Sequence, residues 1–299
     1  MRLRIGITSG DPASIGPEIV QAAIASGRLS PGAEYSVIAR PVHCSLGQPT
    51  PQTAQAALEA LEESARLALH GEIQAVVTGP IHKARMAEIG FPFPGQTEFF
   101  ASRCNVKNFA MLLTGGKLTV ALVTTHIPLQ AVPSALKQSE IIRVGLLLRD
   151  FLQRRLVLRP RIAVAGLNPH AGETGKLGRE EIEIIAPAIA ELNSQSSPSN
   201  QEPPLFAGPF SPDSLFHHAA AGDWDGVLCM YHDQGLIPLK LHAFHTGVNV
   251  TLGLPFPRTS PDHGTAFEIA GKGIARADSM IAAINLAVEL AQHPSVAAA

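Results

Sequence analysis

The sequence predicts an α/β protein built on a mainly parallel sheet. Strand-like and helix-like segments alternate with short connections, as βαβ units do. Apolar residues make up 45% of the 299 and charged residues 16%, ample for a core and too apolar for extended disorder. The 26 glycines and 24 prolines imply many tight turns, which a coiled coil or helical bundle does not need.

Leu3–Thr8 reads as the first strand and ends in the turn Ser9-Gly10-Asp11-Pro12. A helix opens at Pro17-Glu18 and runs to about Ser26, with proline and an acid in its first turn. Tyr35–Ala39 is a second strand, and Arg40–Gln52 is an aperiodic connection. Thr53–His70 sets Ala57, Leu58, Leu61, Ala65 and Leu69 on one face, an amphipathic helix closed by Gly71. Ala75–Thr78 is a buried strand running into Gly79-Pro80. Phe109–Leu113 and Leu118–Val123 flank Gly115-Gly116, so one antiparallel hairpin joins the sheet. Ser139–Gln153 reads as a helix, Arg161–Leu167 as a strand and Glu180–Leu192 as a helix. Ser194–Pro204, rich in Ser, Pro, Gln and Asn, is a solvent loop. Asp225–Met230 is a further strand, and Ala275–His293 is the closing helix.

The formal charge is −2 with no basic cluster, which argues against nucleic acid or an anionic membrane as a partner. Three cysteines, Cys44, Cys104 and Cys229, have no Cys-x-x-Cys spacing and suit a reducing compartment. No apolar stretch of about 18 residues occurs, and the N-terminus lacks a signal-peptide pattern. The expectation is a soluble, cytoplasmic protein.

The polar residues gather where strands end, the place where open α/β sheets bind ligands. His126, His170 and His232 each follow a strand, 44 and 62 residues apart. Three neutral imidazoles with open positions suit a catalytic divalent ion such as Zn²⁺ or Co²⁺, and capping of strand ends is the competing reading. Asp233, beside His232, reads as a general base or as the carboxylate that orients a ligand. Lys240, Asn249 and Arg258 recur at nine-residue spacing in an apolar segment, where an anionic substrate would balance their charge. Residues 262–273 form a Gly-rich run without Walker or Gly-x-Gly-x-x-Gly spacing.

At these turns the sequence resembles the 4-hydroxythreonine-4-phosphate dehydrogenase family of pyridoxal phosphate biosynthesis. The matching blocks are GDPASIGPEI (10–19), TGPIHK (78–83), GQTEFF (95–100), TTHIPL (124–129), LNPHAGETGKLGREE (167–181), GPFSPDSLF (208–216), YHDQGLIPLK (231–240) and VNVTLGLPFPRTSPDHGTAFEIAGKG (248–273). They span nearly the whole chain, and the last also looks like the adenosine-binding loop of isopropylmalate dehydrogenases.

The resemblance implies two α/β lobes around a cleft, of the isocitrate/isopropylmalate dehydrogenase type. Residues 1–126 with 264–299 would form the cofactor-side lobe, and 127–263 the lobe of dimer and metal. In a homodimer with shared sites, His126 and His170 would bind the metal (Zn, Co or Mg) from one subunit and His232 from its partner. Gln96, Thr97, Lys240, Asn249 and Arg258 would hold a small phosphorylated substrate. Asp213, Asp233 and Lys240 would serve catalysis, and Gly264, Thr265, Ala266 and Glu268 would contact NAD. The implied reaction is NAD-dependent oxidation and decarboxylation of 4-hydroxythreonine 4-phosphate to 3-amino-2-oxopropyl phosphate. A paralogous dehydrogenase for a threonate phosphate or a cyclic dihydrodiol, and a non-catalytic phosphometabolite-binding protein, are the alternatives. Gln96 stands where family members usually carry His, and the chain is short between Ala39 and Thr53, where relatives carry a longer excursion. Glutamine donates and accepts hydrogen bonds but cannot become cationic near neutral pH.

Overall fold

The computed structural model describes residues 2–196 and 203–293. Among them are ten strands: β1 (Leu3–Thr8), β2 (Ala33–Ile38), β3 (Ala75–Thr78), β4 (Ala110–Gly115), β5 (Leu118–Leu122), β6 (Ile162–Ala165), β7 (Phe206–Phe210), β8 (Gly226–Cys229), β9 (Val248–Leu252) and β10 (Arg258–Pro261). The chain forms two compact units, Met1–Lys107 with His245–Ala299 and Asn108–Phe244. The boundaries therefore fall after Lys107 and Phe244 and not at 126 and 264. Strand pairing explains the shift: β5 pairs with β4 and β8, while β9 and β10 pair with each other and β10 with β3.

In the first unit the order is β2-β1-β3-β10-β9, parallel except for the β10–β9 pair. Ile5, Ile7, Val76 and Val77 are fully buried along its central strands. The helix Pro51–Leu69 starts two residues earlier than its periodicity suggests, because Thr50 and Thr53 cap each other's backbone N–H groups. Its buried face is the small one, Ala54, Ala57, Leu61, Ala65 and Ala68. Leu69, expected inward, is 47% exposed. The closing helix is Asp278–Gln292, shorter at its start than expected.

In the second unit the order is β4-β5-β8-β6-β7, parallel except for the β4–β5 hairpin. Gly115 pairs with Leu118, and Gly116 takes φ +57° at the first loop position, as a type II′ turn requires. The helix Gln138–Arg154 buries Ile141, Val144, Leu148, Phe151 and Leu152. The helix expected at Glu180–Leu192 begins with a wider turn, Glu181–Ile185, and continues as Ala186–Ser196. It thus takes in the start of the expected Ser194–Pro204 loop, whose residues 197–202 lie outside the described residues.

Candidate active site

Arg258 opens β10 and is 3% exposed. Its Nη2 donates to Thr78 Oγ1 at 2.5 Å and Gln96 Oε1 at 3.0 Å, and its Nη1 to Thr251 Oγ1 at 3.3 Å. The Phe100 ring lies 5.8 Å from the guanidinium carbon, and Nε is buried without a partner. No carboxylate forms an ion pair with Arg258 among the described residues. Burial pushes its pKa down to about 10, the charge of Glu98 opposing, so it is still cationic at pH 7. A buried cation held only by neutral groups lacks an anion.

The surrounding polar groups are arranged by the strands. Arg258 stands opposite Thr251 on β9, and Asn249 lies two residues along on the same face, its Oδ1 buried without a partner. Thr251 Oγ1 meets Thr97 Oγ1 at 3.3 Å, while Gln96 Nε2 donates to Gly79 O at 3.0 Å. Gln96, Thr97, Asn249 and Arg258 thus belong to the first unit, and Lys240 to the helix His232–Ala243 of the second. The nine-residue spacing reflects no common face, since it crosses from a helix to two strands. Thr78 and Thr251 escaped the sequence reading, although both lie in its matching blocks.

The Gly-rich loop also belongs to the first unit. A Cβ on Gly264 would meet nothing within 4 Å, and Ala266 is left-handed with φ 43°. Thr265 O accepts the Ile15 N–H at 3.1 Å, and Gly271 N donates to Glu18 Oε2 at 2.9 Å. Glu268 lies in the short helical turn Phe267–Ile269. Two buried polar atoms beside the loop lack partners, Glu18 Oε1 and His82 Nδ1, the His82 ring meeting Phe267 edge-on at 5.2 Å. Exposed backbone with unsatisfied polar atoms beside it fits a dinucleotide.

In the second unit, β5 and β8 are parallel neighbours with Leu122 opposite Cys229, so His126 and His232 leave adjacent strand ends. Their ring centroids are 5.5 Å apart. His232 Nδ1 lies 2.7 Å from Asp233 Oδ1, a pairing that leaves Nε2 as the ring nitrogen turned to other partners. The helix that His232 opens contains Pro238, whose missing N–H masked the helix in the sequence.

His170 is held by an unusual backbone. Residues His170, Ala171, Gly172, Glu173 and Thr174 all have φ between 43° and 77°, a left-handed turn that L-residues rarely adopt. Glu181, 3% exposed, anchors its entrance: Oε1 accepts the Leu167 and Asn168 N–H groups at 2.8 and 2.7 Å, and Oε2 accepts Asn168 Nδ2 at 3.0 Å. The Ser211 hydroxyl donates to Asp213 at 2.6 Å and holds its carboxyl below the usual range, aided by the charge of His170. No group of three His, Cys, Asp or Glu poised to hold a metal occurs among the described residues. The close pair of imidazoles, one backed by a carboxylate, suits a divalent cation with a third ligand from elsewhere.

The family described as pyridoxal phosphate biosynthetic protein PdxA matches residues 13–287. The 4-hydroxythreonine-4-phosphate dehydrogenase of Caulobacter vibrioides is 42% identical over 335 aligned positions, covering 98% of each chain. A crystal structure of 4-hydroxythreonine-4-phosphate dehydrogenase from Klebsiella pneumoniae has 37% identity and a TM-score of 0.81, over 98% of this chain and 100% of that one. Isocitrate dehydrogenase from Methylococcus capsulatus, at 16% identity, a TM-score of 0.52 and coverage of 93% and 83%, shares the fold alone.

Proposed function

This chain belongs to the PdxA family of pyridoxal phosphate biosynthetic proteins, and from that we propose an NAD- and metal-dependent dehydrogenase acting on 4-hydroxythreonine 4-phosphate. The substrate's secondary alcohol would be oxidised to a ketone, with NAD as the acceptor of its hydride and a base as the acceptor of its hydroxyl proton. The resulting β-keto acid loses carbon dioxide and leaves 3-amino-2-oxopropyl phosphate.

The observation that carries this reading is the buried Arg258 without an anion. Its fork matches a phosphate, which Thr97 and Asn249 would help to hold and Lys240 would balance in charge. Gln96 accepts from Arg258 Nη2. Gly264, Thr265, Ala266 and Glu268 would seat NAD, the hydride acceptor. His126, His170 and His232 would hold the divalent cation (Zn, Co or Mg), which supplies Lewis-acid polarisation of the reacting oxygen. Asp233 orients His232 and, with Asp213, offers carboxylate acceptors for the proton.

We also propose a homodimer that shares its sites. The helix His232–Ala243 and the residue after it present Ile237, Leu241 and Phe244, exposed by 66, 88 and 69%, at helical spacing. Such a stripe suits burial against a second copy. No helix among the described residues is long and apolar enough to cross a membrane, and the three cysteines are unpaired. A cytoplasmic location belongs to this reading.

The test is NADH formation on a panel of phosphorylated hydroxy acids, before and after EDTA and with Zn²⁺, Co²⁺ or Mg²⁺ restored. Metal-dependent turnover of 4-hydroxythreonine 4-phosphate is expected. Turnover of a threonate phosphate or a dihydrodiol alone would make the chain a paralogous dehydrogenase. Tight binding with no turnover on any member would make it a phosphometabolite-binding protein.

A further inference from the structure

Gln234 lies in the first turn of the helix His232–Ala243 and is 5% exposed. Its Oε1 accepts the Met230 N–H at 2.7 Å, and its Nε2 donates to Gly166 O at 2.6 Å. A donor on one side and an acceptor on the other fix which way the amide faces. Met230 directly follows β8, and Gly166 directly follows β6. The register of that parallel pair, Ile162 opposite Gly226 and Val164 opposite Leu228, brings Gly166 opposite Met230 just past the last paired residues. The Gln234 amide therefore continues the link between the two strands with a side chain. On the other side of Met230, Thr124 beyond β5 donates to Met230 O, its hydroxyl at 2.7 Å and its N–H at 3.2 Å. Gly235 lets the helix come this close, since a Cβ there would meet Cys229 Sγ and Leu122 Cδ2 at 3.0 Å.

The bridge Thr124–Met230–Gln234–Gly166 thus crosses the ends of three neighbouring strands, and each strand leads to one histidine. His126 stands two residues beyond Thr124, His232 two beyond Met230 and His170 four beyond Gly166.

We infer that Gln234 is a positioning residue for the divalent cation: its amide fixes the strand ends from which the three imidazoles leave, and so sets how tightly the cation is held. The inference rests on the metal reading above. It holds whether the rings around one cation come from one chain or two, because the bridge fixes the strand ends of every chain alike. Metal–nitrogen distances are held to within about 0.2 Å, so a small shift of a strand end is felt at the cation. A buried amide bonded at both ends permits little shift. Loss of either bond leaves a backbone N–H or C=O buried without a partner, and the strand end moves to recover one.

The rival account is that Gln234 only satisfies two buried backbone groups and supports the fold. It predicts a less stable variant whose folded form binds the cation unchanged. Gln234→Met has about the same length and volume and removes both bonds. Gln234→Asn keeps the amide but is one methylene too short to span both partners.

Co²⁺ is the probe, because its visible spectrum reports ligand geometry and its binding needs no turnover. Chelator competition on folded Gln234→Met, checked by circular dichroism, should show Co²⁺ bound about 10–100-fold more weakly, with an altered spectrum. Gln234→Asn should fall between that variant and the unaltered protein. Full affinity and an unaltered spectrum in folded Gln234→Met overturn the inference and leave the metal reading standing. Unaltered protein that binds no Co²⁺ overturns both. Should neither Gln234 variant fold, Thr124→Val carries the test, since it removes one bond of the bridge and keeps the shape. A loss of about fivefold with a shifted spectrum is expected there, and unchanged affinity and spectrum overturn the inference.

Discussion

Arg258 Nη2 and Thr78 Oγ1 meet at 2.5 Å across the parallel pair of β10 and β3. Arg258 stands opposite Val76, so Thr78 lies two residues along on the same face, where its hydroxyl takes one tine of the fork. Thr78→Val keeps the shape and removes the acceptor. It should weaken inorganic phosphate about tenfold by calorimetry, with Thr78→Ser restoring most of the loss. Arg258→Lys keeps the charge and loses the bidentate geometry, so a loss of about a hundredfold is expected. Unchanged phosphate binding in Arg258→Lys would remove the anion site from this cluster.

Gln96 accepts from Arg258 and donates to Gly79 O. A neutral histidine can make the same two bonds, one from each ring nitrogen. Protonated, it loses the acceptor and gains a charge facing the anion. In Gln96→His, sulfate binding should therefore tighten about tenfold as pH falls from about 7.5 to 5.5, while the unaltered protein stays flat. Sulfate does not titrate in this range, so a flat profile in the variant would show that position 96 does not face the anion.

Seven of the ten strands among the described residues were legible, most as apolar runs broken by Gly or Pro, as at Ala75–Thr78, whereas β7, β9 and β10 were not read. The sequence also hid the helix His232–Ala243, whose Pro238 contradicts helix propensity, and the left-handed turn at His170, which no pattern of side chains announces. Arg258 was visible as a charge in an apolar stretch. Thr78, Thr251 and Glu181 were not, because their contacts depend on what another segment brings to them. The lobe boundaries shifted for the same reason, being set by strand pairing.

Glu181 fixes the backbone before His170 through three hydrogen bonds. Glu181→Ala leaves the Leu167 and Asn168 N–H groups without their acceptor and should cost about 2–4 kcal/mol in urea unfolding. Glu181→Gln keeps one oxygen for both N–H groups but turns its NH₂ toward Asn168 Nδ2, so an intermediate loss is expected. If His170 is a ligand, Zn²⁺ affinity in the folded Gln variant should fall about 10–100-fold by chelator competition. Full Zn²⁺ affinity in a destabilised variant would separate the turn from the metal.

The 5.5 Å between His126 and His232 within one chain makes a subunit-mixing experiment decisive. With sites shared between subunits, a heterodimer of His126→Ala and His232→Ala chains has one intact site. Random mixing should then recover about a quarter of the activity. With both imidazoles from one chain, every site is broken and nothing returns. Leu241→Glu places a charge on the exposed helix stripe and should give monomers by light scattering while the far-ultraviolet circular dichroism stays that of the folded chain.

Burial raises the thiol pKa of Cys104 to about 11, and burial also raises Cys229. For Cys44 burial acts first and the charge of Asp11 second, again upward. A thiol whose pKa is raised is protonated at neutral pH, and only the thiolate attacks an alkylating reagent. At pH 7 the thiolate fraction of Cys104 is about one in ten thousand, growing tenfold per pH unit until it levels near 11. Iodoacetamide should therefore modify the native chain far more slowly than the unfolded one, and labelling at Cys104, followed by peptide mass, should still be rising above pH 9. A plateau at pH 8 to 9, where an ordinary thiol levels off, would show that Cys104 is not held in an apolar setting.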